Sequence, residues 1–469
     1  MISLSRQVMG MSSVGLSFGS ATSGKGIDVA STVTQIMTSY RQVEQPWKDQ
    51  LAKLQDQDAV LSTLGTGIST LLTDVQALTD PIGVFSAMNG SSSDTNVLGL
   101  TSANSSAVAG THTVIVSNLA QTSVAASGAV GTSDILSGSV TIQVSAGSAY
   151  TVNVGDDATA STIAGLANAI NAAGIGVRAS VLTDTNGSRL SVISSSDGAA
   201  GTLTVSSALT DTSAAVGNQS VAFTRVQDGL DANLQVDGVA LSSASNKVTN
   251  GIQGVTFQLL SASPGEAVQV VIANNNSSIE SAIITYVTDY NKLITAINGQ
   301  EKMASSGSAE PLYGNPVIAE LQNTLQGLLI SAPASGNVTS LYSLGITSNP
   351  DGTLSLNTDK LGSMLNESFS DVMQFFQNVG SFGVSFANTL SDLGSSTPSG
   401  LIALVQKMQS SQEKALNDSI GNQEARLTII QDRLTNELNQ VNQTLQAIPS
   451  QLNYVNELYS AITGYNQKS

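Results

Sequence analysis

The residue best suited to acid–base or metal chemistry in this sequence is its single histidine, His112. It lies in the alternating run Thr111–Val116, which predicts a β-strand. The chain has no cysteine, so His112 has neither a second imidazole nor a thiolate beside which it could hold a metal or activate a nucleophile. We therefore predict that His112 is an ordinary packed or surface residue of a strand.

Three other short patterns resemble parts of functional sites, but each is better interpreted as a turn. Asp156-Asp157 could be half of a carboxylate pair, yet they lie where a turn and a helix N-terminus are expected. Gly174-Ile175-Gly176 follows a predicted helix instead of opening one, and Ala179 replaces the third glycine of a dinucleotide loop. Asn349-Pro350-Asp351-Gly352 lacks the spacing and the final glutamate of a calcium loop. We predict no catalytic residue, cofactor or metal, and hence no enzyme.

The composition argues against nucleic acid and membrane partners. Charged residues make up only 11% of the chain, compared with about 25% in an average soluble protein. The net charge is −17, and no cluster of Lys and Arg is available to bind phosphates. No window reaches the roughly 18 apolar residues that a membrane-spanning helix needs. The first 24 residues contain one Arg and no sustained apolar run, so we expect no cleaved secretory signal.

Both ends of the chain repeat an apolar residue at every seventh position, which predicts two helices that pair as a coiled coil. The N-terminal part of this predicted seam consists of Val33, Ile36, Tyr40, Trp47, Leu54, Leu61, Ile68 and Val75. The C-terminal part consists of Ile420, Leu427, Leu434, Val441, Ile448, Val455 and Ile462. Pro46 predicts a kink or break, and Gln50 and Gln57 interrupt a second apolar row that runs beside this one. We expect the two helices to form a stalk whose outer ends are completed by other subunits.

Between the two ends, short alternating runs predict an antiparallel β-rich region from about residue 85 to residue 275. It contains one predicted helix, Thr162–Asn171, with Ser161 as its N-cap. Further helices are predicted from Asn276 or Ser277, over Val317–Ile330, and after Asn357 as one helix that extends to Phe376. Asp351-Gly352 predicts a hairpin. The fold class is therefore α+β and multidomain, with a terminal coiled-coil stalk, a helical leg domain and two inserted antiparallel β-rich head domains.

Several motifs, in this order along the chain, resemble the flagellar filament cap family, also called flagellar hook-associated protein 2 or the FliD family. The resemblance covers nearly the whole chain, although His112 stands where the family usually has Tyr and Asn357 where Asp is common. The hairpin with its flanking residues is the most specific match. The matching segments are Gly26–Val33, Gly110–Gln121, Thr162–Leu190 (the "IN" motif of flagellins and hook proteins), Asp237-Gly238, Ser245-Asn246, Gly254–Thr256, Tyr286–Asn291 and Leu344–Leu361.

The resemblance implies a cap at the distal tip of the flagellum that prevents loss of flagellin and promotes its folding and insertion during elongation. It implies a homo-oligomeric ring, with a pentamer expected, and contacts with flagellin and hook–filament junction proteins. Export would use the flagellar type III secretion system without a cleaved signal, with a cytosolic chaperone on the C-terminal helix. We predict that the chaperone handle is Ile448, Leu452, Val455, Leu458 and Ile462.

The predicted domains are nested. Residues 1–45 and 425–469 form the filament-facing coiled-coil domain, and residues 46–85 and 277–424 form the leg domain. Residues 86–126 and 225–276 form one β-rich head domain, into which the second, residues 127–224 with the "IN" motif, is inserted. Two alternative functions remain. The chain could be another flagellar axial or junction protein, or a surface adhesin whose β head (residues 86–276) binds host glycans or mucin.

Overall fold

The computed structural model describes residues 26–155, 161–213, 217–303, 307–330, 333–394 and 397–464. They divide into two compact units. The helical unit consists of the described residues of Met1–Gln76, Thr285–Asn357 and Asn378–Ser469. The β-rich unit consists of those of Ala77–Ile284 and Thr358–Gln377. Helices and antiparallel sheets together confirm the predicted α+β multidomain class, whereas the finer division into four domains stays a prediction.

The helices agree with most of the predicted segments. Asp28 caps the first helix by accepting a hydrogen bond from the Ser31 amide at 3.0 Å. Thr162, and not the predicted Ser161, is the N-cap of α3, because its hydroxyl accepts the Gly165 amide at 3.1 Å. The helices are α1 (Val29–Arg41), α2 (Gln45–Thr79), α3 (Ile163–Ala172), α4 (Asn276–Gly299), α5 (Pro316–Ile330), α6 (Thr358–Glu367), α7 (Phe369–Gln377), α8 (Phe382–Leu393) and α9 (Leu401–Thr463).

Two helical predictions were wrong in detail. The helix expected to run from Asn357 to Phe376 is split into α6 and α7 at Ser368. We did not predict α8, although Ser381 caps it and its buried residues Phe382, Phe386 and Leu390 have the spacing of one helical face. None of the helices within the described ranges is both long and apolar enough to cross a lipid bilayer.

The strands form antiparallel sheets, and most of them lie within the β-rich region predicted from about residue 85 to residue 275. They are β1 (Met88–Ser92), β2 (Leu98–Ala103), β3 (Gly110–Asn118), β4 (Thr122–Ser127), β5 (Leu136–Val144), β6 (Tyr150–Val154), β7 (Val177–Asp184), β8 (Gly187–Asp197), β9 (Leu203–Ser207), β10 (Leu209–Asp211), β11 (Gln219–Val221), β12 (Phe223–Gln227), β13 (Ala232–Val236), β14 (Val239–Ser243), β15 (Lys247–Ile252), β16 (Val255–Leu259), β17 (Val268–Asn274), β18 (Ile346–Ser348) and β19 (Leu354–Leu356).

The β-rich unit has two hydrophobic cores, and we use the names parent β domain and inserted β domain for the strands around each core. The parent β domain contains the sheets β1-β17-β3-β13-β14 and β15-β16-β2 and the core that includes Val116 and Phe257. The inserted β domain contains the sheets β11-β10-β5-β6, with β9 beside β5, and β12-β4-β8-β7, and a separate core that includes Ile142 and Ile170. The sequence-based boundaries 126/127 and 224/225 fall within β4 and β12, so we define the inserted β domain as residues 122–227.

Two asparagine side chains hydrogen-bond to strands in the way that a neighbouring strand would. Asn291 on α4 accepts the Leu354 amide at 2.6 Å and donates to the Leu354 carbonyl at 2.7 Å, which satisfies both groups on one side of β19. Asn171 of α3 makes the same pair of bonds with Ala179 of β7, both at 2.8 Å. A buried or edge backbone group costs free energy when it lacks a partner, so these amides stabilise the hairpin and the "IN" segment.

The carboxyl group of Asp74 on α2 lies close to that of Asp289 on α4. Burial, followed by repulsion from Asp289, raises the pKa of Asp74 to about 6, although the positive charge of Lys292 opposes the shift. Lys292 itself pairs with Asp289 at 2.7 Å. Because folding raises the pKa of Asp74, the folded state binds this proton more tightly than the unfolded state does. The free energy of unfolding therefore decreases as the pH rises from about 4 to about 6.

We expect Asp74→Asn to stabilise the helical unit at pH 7.5 and to have little effect near pH 4. Asp74 is partly exposed, so solvent screens its charge, and the gain is expected to be about 1 kcal/mol. Urea unfolding followed by circular dichroism at both pH values measures this difference. Asp56→Asn, at an exposed position of the same helix, is the control and should change neither curve. An equal effect of Asp74→Asn at both pH values would contradict the expected titration.

Candidate functional site: the paired terminal helices

Helix α1 packs antiparallel against the C-terminal helix α9. The Ile27 amide donates to Asn442 Oδ1 at 2.8 Å, whereas Lys48, about 20 residues later, lies 3.2 Å from Glu424. The apolar contact between these points buries Leu427 completely. It is formed by Ile27, Val29, Val33, Met37 and Leu427, with Ile430, Leu434, Leu438 and Leu445 at its margin. The two ends of the predicted stalk therefore do meet.

The predicted break at Pro46 is a turn between Arg41 and Gln45 that separates α1 from α2. A seven-residue row cannot stay on one face across such a break, because the turn changes the helical phase. Tyr40 of the predicted seam is 48% exposed. Met37, which the seven-residue period did not include, is buried instead and packs with Val33.

A charged cluster holds this turn against α9. Glu44 in the turn is buried, and its carboxylate lies 2.7 Å from the ammonium group of Lys48. Lys48 also donates to Glu424 on α9, and its hydrogen bonds, first to Glu44 and then to Glu424, raise the pKa of Lys48. A buried carboxylate is tolerated only beside a positive charge, so Lys48 stabilises both the turn and its contact with α9. The sequence pattern did not reveal this cluster.

A polar layer follows the charged cluster along the pair of helices. Gln57 is one of the two glutamines that interrupt the predicted apolar row. It accepts a hydrogen bond from Gln409 at 3.2 Å and donates to the Pro311 carbonyl at 2.9 Å. Gln406 bonds to Asp58 at 3.1 Å. Polar pairs within a helical seam fix the axial register of the helices, because any shift leaves buried amides without partners.

The predicted seam residues differ in burial along the pair of helices. Val33, Leu54, Leu61, Ile68, Val75 and Leu427 are buried. The half-buried residues are Ile36, Trp47, Ile420, Leu434 and Ile448, and the exposed ones are Tyr40, Val441, Val455 and Ile462. Burial therefore decreases toward the C-terminal end of α9.

The last turns of α9 carry an exposed apolar stripe. From Ser450 to Gly464 every residue is exposed except the half-buried Ser460. The predicted handle residues Leu452, Val455, Leu458 and Ile462 are 44%, 58%, 51% and 76% exposed, and Tyr454 and Tyr459 flank them at 66% and 60%. Several exposed apolar side chains on one stretch of helix are a feature typical of interaction sites. We call residues 447–464 the distal segment of α9.

The single histidine fastens a turn of the parent β domain. His112 Nδ1 lies 2.7 Å from Asp237 Oδ2, and Asp237 Oδ1 accepts the Thr113 amide at 2.8 Å. The bond from His112, followed by that from the Thr113 amide, lowers the pKa of Asp237. Asp237 lies in the turn between β13 and β14, so its bonds to His112 and Thr113 fasten that turn to β3.

The other sequence patterns also lie in turns or outside the described ranges. The carboxylate of Asp351 accepts the amide and the hydroxyl of Thr353 at 3.0 and 2.6 Å, as in a hairpin turn. Gly174 and Gly176 follow α3 with positive φ, as residues in a helix-ending turn do. Asp156-Asp157 lie outside the described residues. Within the described ranges, no group of three or more His, Asp or Glu side chains is arranged to hold a metal ion.

Two family models cover both ends of the chain in the order expected from the motifs. The model of the flagellar hook-associated protein 2 N-terminus (FliD_N) matches residues 25–123, and that of its C-terminus (FliD_C) matches residues 229–451. The chain belongs to the flagellar hook-associated protein 2 family. Both halves of the α1–α9 pair lie within the matched ranges, except for the final turns of α9.

Curated members of this family are similar over part of their length. The B-type flagellar hook-associated protein 2 of Pseudomonas aeruginosa is 29% identical over 157 residues, 32% of this chain and 33% of that protein. The polar flagellar hook-associated protein 2 of Vibrio parahaemolyticus is 29% identical over 206 residues, 42% of this chain and 30% of that protein. The chain spans about a third of the length of these relatives.

The fold is also similar to that of a solved member of the family. The crystal structure of the D1-D2-D3 domains of the Escherichia coli flagellar cap protein FliD superposes with a TM-score of 0.55 at 27% identity. The match covers 75% of this chain and 99% of the Escherichia coli chain.

Proposed function

We propose that this chain caps the distal tip of a bacterial flagellar filament, where it prevents loss of flagellin and promotes flagellin folding and insertion. It acts as a structural, non-enzymatic protein and assembles into a ring of identical subunits, for which five is the expected number. Its proposed location is extracellular, at the filament tip, with flagellin and hook–filament junction proteins as neighbours. Membership of the flagellar hook-associated protein 2 family supports this function.

The observation that carries the proposal is the incomplete stalk. The polar helix α9 is buried against α1 near Leu427, whereas its distal segment exposes Leu452, Val455 and Ile462. A long helix that exposes an apolar stripe is stabilised when a partner buries that stripe. Burial of a side chain such as Val or Ile contributes about 1.5–3 kcal/mol, so a few such residues are sufficient to drive association. Sister subunits and the filament below are the partners we propose.

We also propose that the distal segment is the handle for a cytosolic chaperone before export through the flagellar type III secretion system. An amphipathic helix with anchors at Leu452, Val455 and Ile462 suits a helix-in-groove interaction. Glycan binding by residues 86–276 is a separate hypothesis, which a glycan array on the purified protein would test.

Deletion of the gene tests the capping function directly. A strain without this protein is expected to release unpolymerised flagellin into the medium and to lack full-length filaments, and a plasmid copy should restore both. Immunoblots of culture supernatants and electron microscopy of cells measure the two outcomes. Normal filaments and no extra flagellin in the medium would refute capping, even if the protein were found to oligomerise in solution.

A further inference from the structure

The parent β domain and the inserted β domain are joined by two chain crossings, at Gln121 and at residues 228–231. We infer that hydrogen bonds and close backbone contacts at these crossings fix the two domains as one rigid body, and we call this set of contacts the lock. Its key residues are Asp231, Gly198 and Gly229. The inference concerns the β-rich unit alone and is independent of the proposed function.

The backbones of the two crossings pair with each other. The Gln121 amide donates to the Leu230 carbonyl at 2.7 Å, and the Leu230 amide donates to the Gln121 carbonyl at 3.1 Å. The same Gln121 carbonyl accepts the amide of Gly198, which follows β8, at 3.1 Å. Both crossings are thus hydrogen-bonded to each other and to the inserted β domain, so neither can move as a free linker.

Asp231 connects the second crossing to the inserted β domain. Its carboxylate oxygen Oδ1 accepts the Ala199 amide at 2.6 Å, and its backbone carbonyl accepts the side-chain amide of Asn118 at 2.8 Å. Ala199 belongs to the inserted β domain, whereas Asn118 is the last residue of β3 in the parent β domain. A hydrogen bond to a charged acceptor is stronger than one between neutral groups. One residue therefore holds a group from each domain.

Two glycines bring the backbones of the domains into direct contact. A Cβ atom added to Gly229 would lie 2.4 Å from the Gly198 carbonyl oxygen, and one added to Gly198 would lie 2.6 Å from the Ala244 carbonyl oxygen. Ala244 lies beyond β14 in the parent β domain. Backbone atoms cannot rotate away as a side chain can, so any residue larger than glycine must push the crossings apart.

Arg225 and Ser123 anchor the crossings on the inserted side. Arg225 pairs with Asp228 at 2.9 Å and donates to the Leu203 carbonyl at 2.9 Å. Ser123 is completely buried, and its hydroxyl accepts the Leu203 amide at 3.0 Å and donates to the Gln227 carbonyl at 3.2 Å. With both sides anchored, rotation of one domain against the other would break several hydrogen bonds at once.

Distances between spin labels in the full chain test the lock. The chain has no cysteine, so Val108→Cys in the parent β domain and Leu182→Cys in the inserted β domain can be labelled without background. Both positions are exposed, at 68% and 59%. Pulsed electron–electron double resonance should give a single narrow distance distribution for this labelled pair. A broad or multimodal distribution would overturn the inference.

Gly229→Ala should broaden or shift that distribution, and Asp231→Ala should do so independently by removing the bond to Ala199. Gly110→Ala is the matched control, because a Cβ there meets no atom within 4 Å, and its distribution should stay narrow. Circular dichroism establishes that each variant is folded, and if Gly229→Ala does not fold, Asp231→Ala decides. Distributions as narrow in the variants as in the control would refute the lock.

Discussion

Leu427→Asp is expected to detach α1 from α9 while the rest of the molecule stays folded. Leu427 is completely buried against α1, and its neighbours in this contact are apolar, so an aspartate there would be a charge without a partner. Loss of the apolar contact and burial of the charge together should cost about 4 kcal/mol or more. This cost exceeds the stabilisation that the contact of one short helix with α9 can provide. Hydrogen exchange by mass spectrometry should show fast exchange over residues 29–41.

Ile429→Asp is the control for this substitution, because Ile429 lies two residues further along the same helix and is 69% exposed. An exposed change of this type should alter stability by no more than about 0.5 kcal/mol. If the amides of α1 were as well protected from exchange in Leu427→Asp as in Ile429→Asp, the contact with α9 would not be what keeps α1 folded and docked.

Removal of residues 447–469 is expected to abolish both ring formation and chaperone binding. The truncation retains Asn442 and Leu445, which contact the N-terminal segment and α1, so the intramolecular pair should persist. What is lost is the exposed apolar stripe of the distal segment. Native mass spectrometry measures the oligomer, and co-purification with the cognate export chaperone measures the second interaction.

A full-length variant distinguishes the effect of losing the exposed apolar side chains from the effect of shortening the helix. Leu452→Ser, Val455→Ser and Ile462→Ser together should reproduce both losses, whereas Asn453→Ser with Asn456→Ser, on the polar side of the same turns, should not. A closed oligomer and retained chaperone binding in the triple variant would refute the role of the stripe in both.

The sequence predicted those elements that are determined by residues within them or next to them in the chain. Pro46 indicated the break before α2, and Asp351-Gly352 indicated the β18–β19 hairpin. The β-rich region was predicted for the same reason, because many of its strands, such as β6 and β17, alternate apolar and polar residues. Strands β1 and β12 were missed because their sequences, MNGSS and FTRVQ, lack an apolar face, and partners distant in sequence hold them in place.

The candidate site was predictable only in outline. A period of seven places the apolar stripe on each helix, but it assumes a continuous helix, which is why Tyr40 was chosen and Met37 was not. Burial of Glu44 beside Lys48, and the partners of Gln57, depend on α9 and on Pro311, which are hundreds of residues away. The position of α8 was available from Ser381 and the spacing of Phe382, Phe386 and Leu390, and it was overlooked.

Hydrogen exchange of the distal segment, compared between monomer and assembled ring, tests most directly whether sister subunits complete the stalk. In the monomer, amides of residues 447–462 are expected to exchange rapidly, because most apolar side chains of this segment, from Leu452 onward, are exposed. In the ring the same amides should be strongly protected, while those of Tyr286 and Tyr290, whose side chains are already buried within the single chain, should not change. Equal protection of residues 447–462 in monomer and ring would contradict this account.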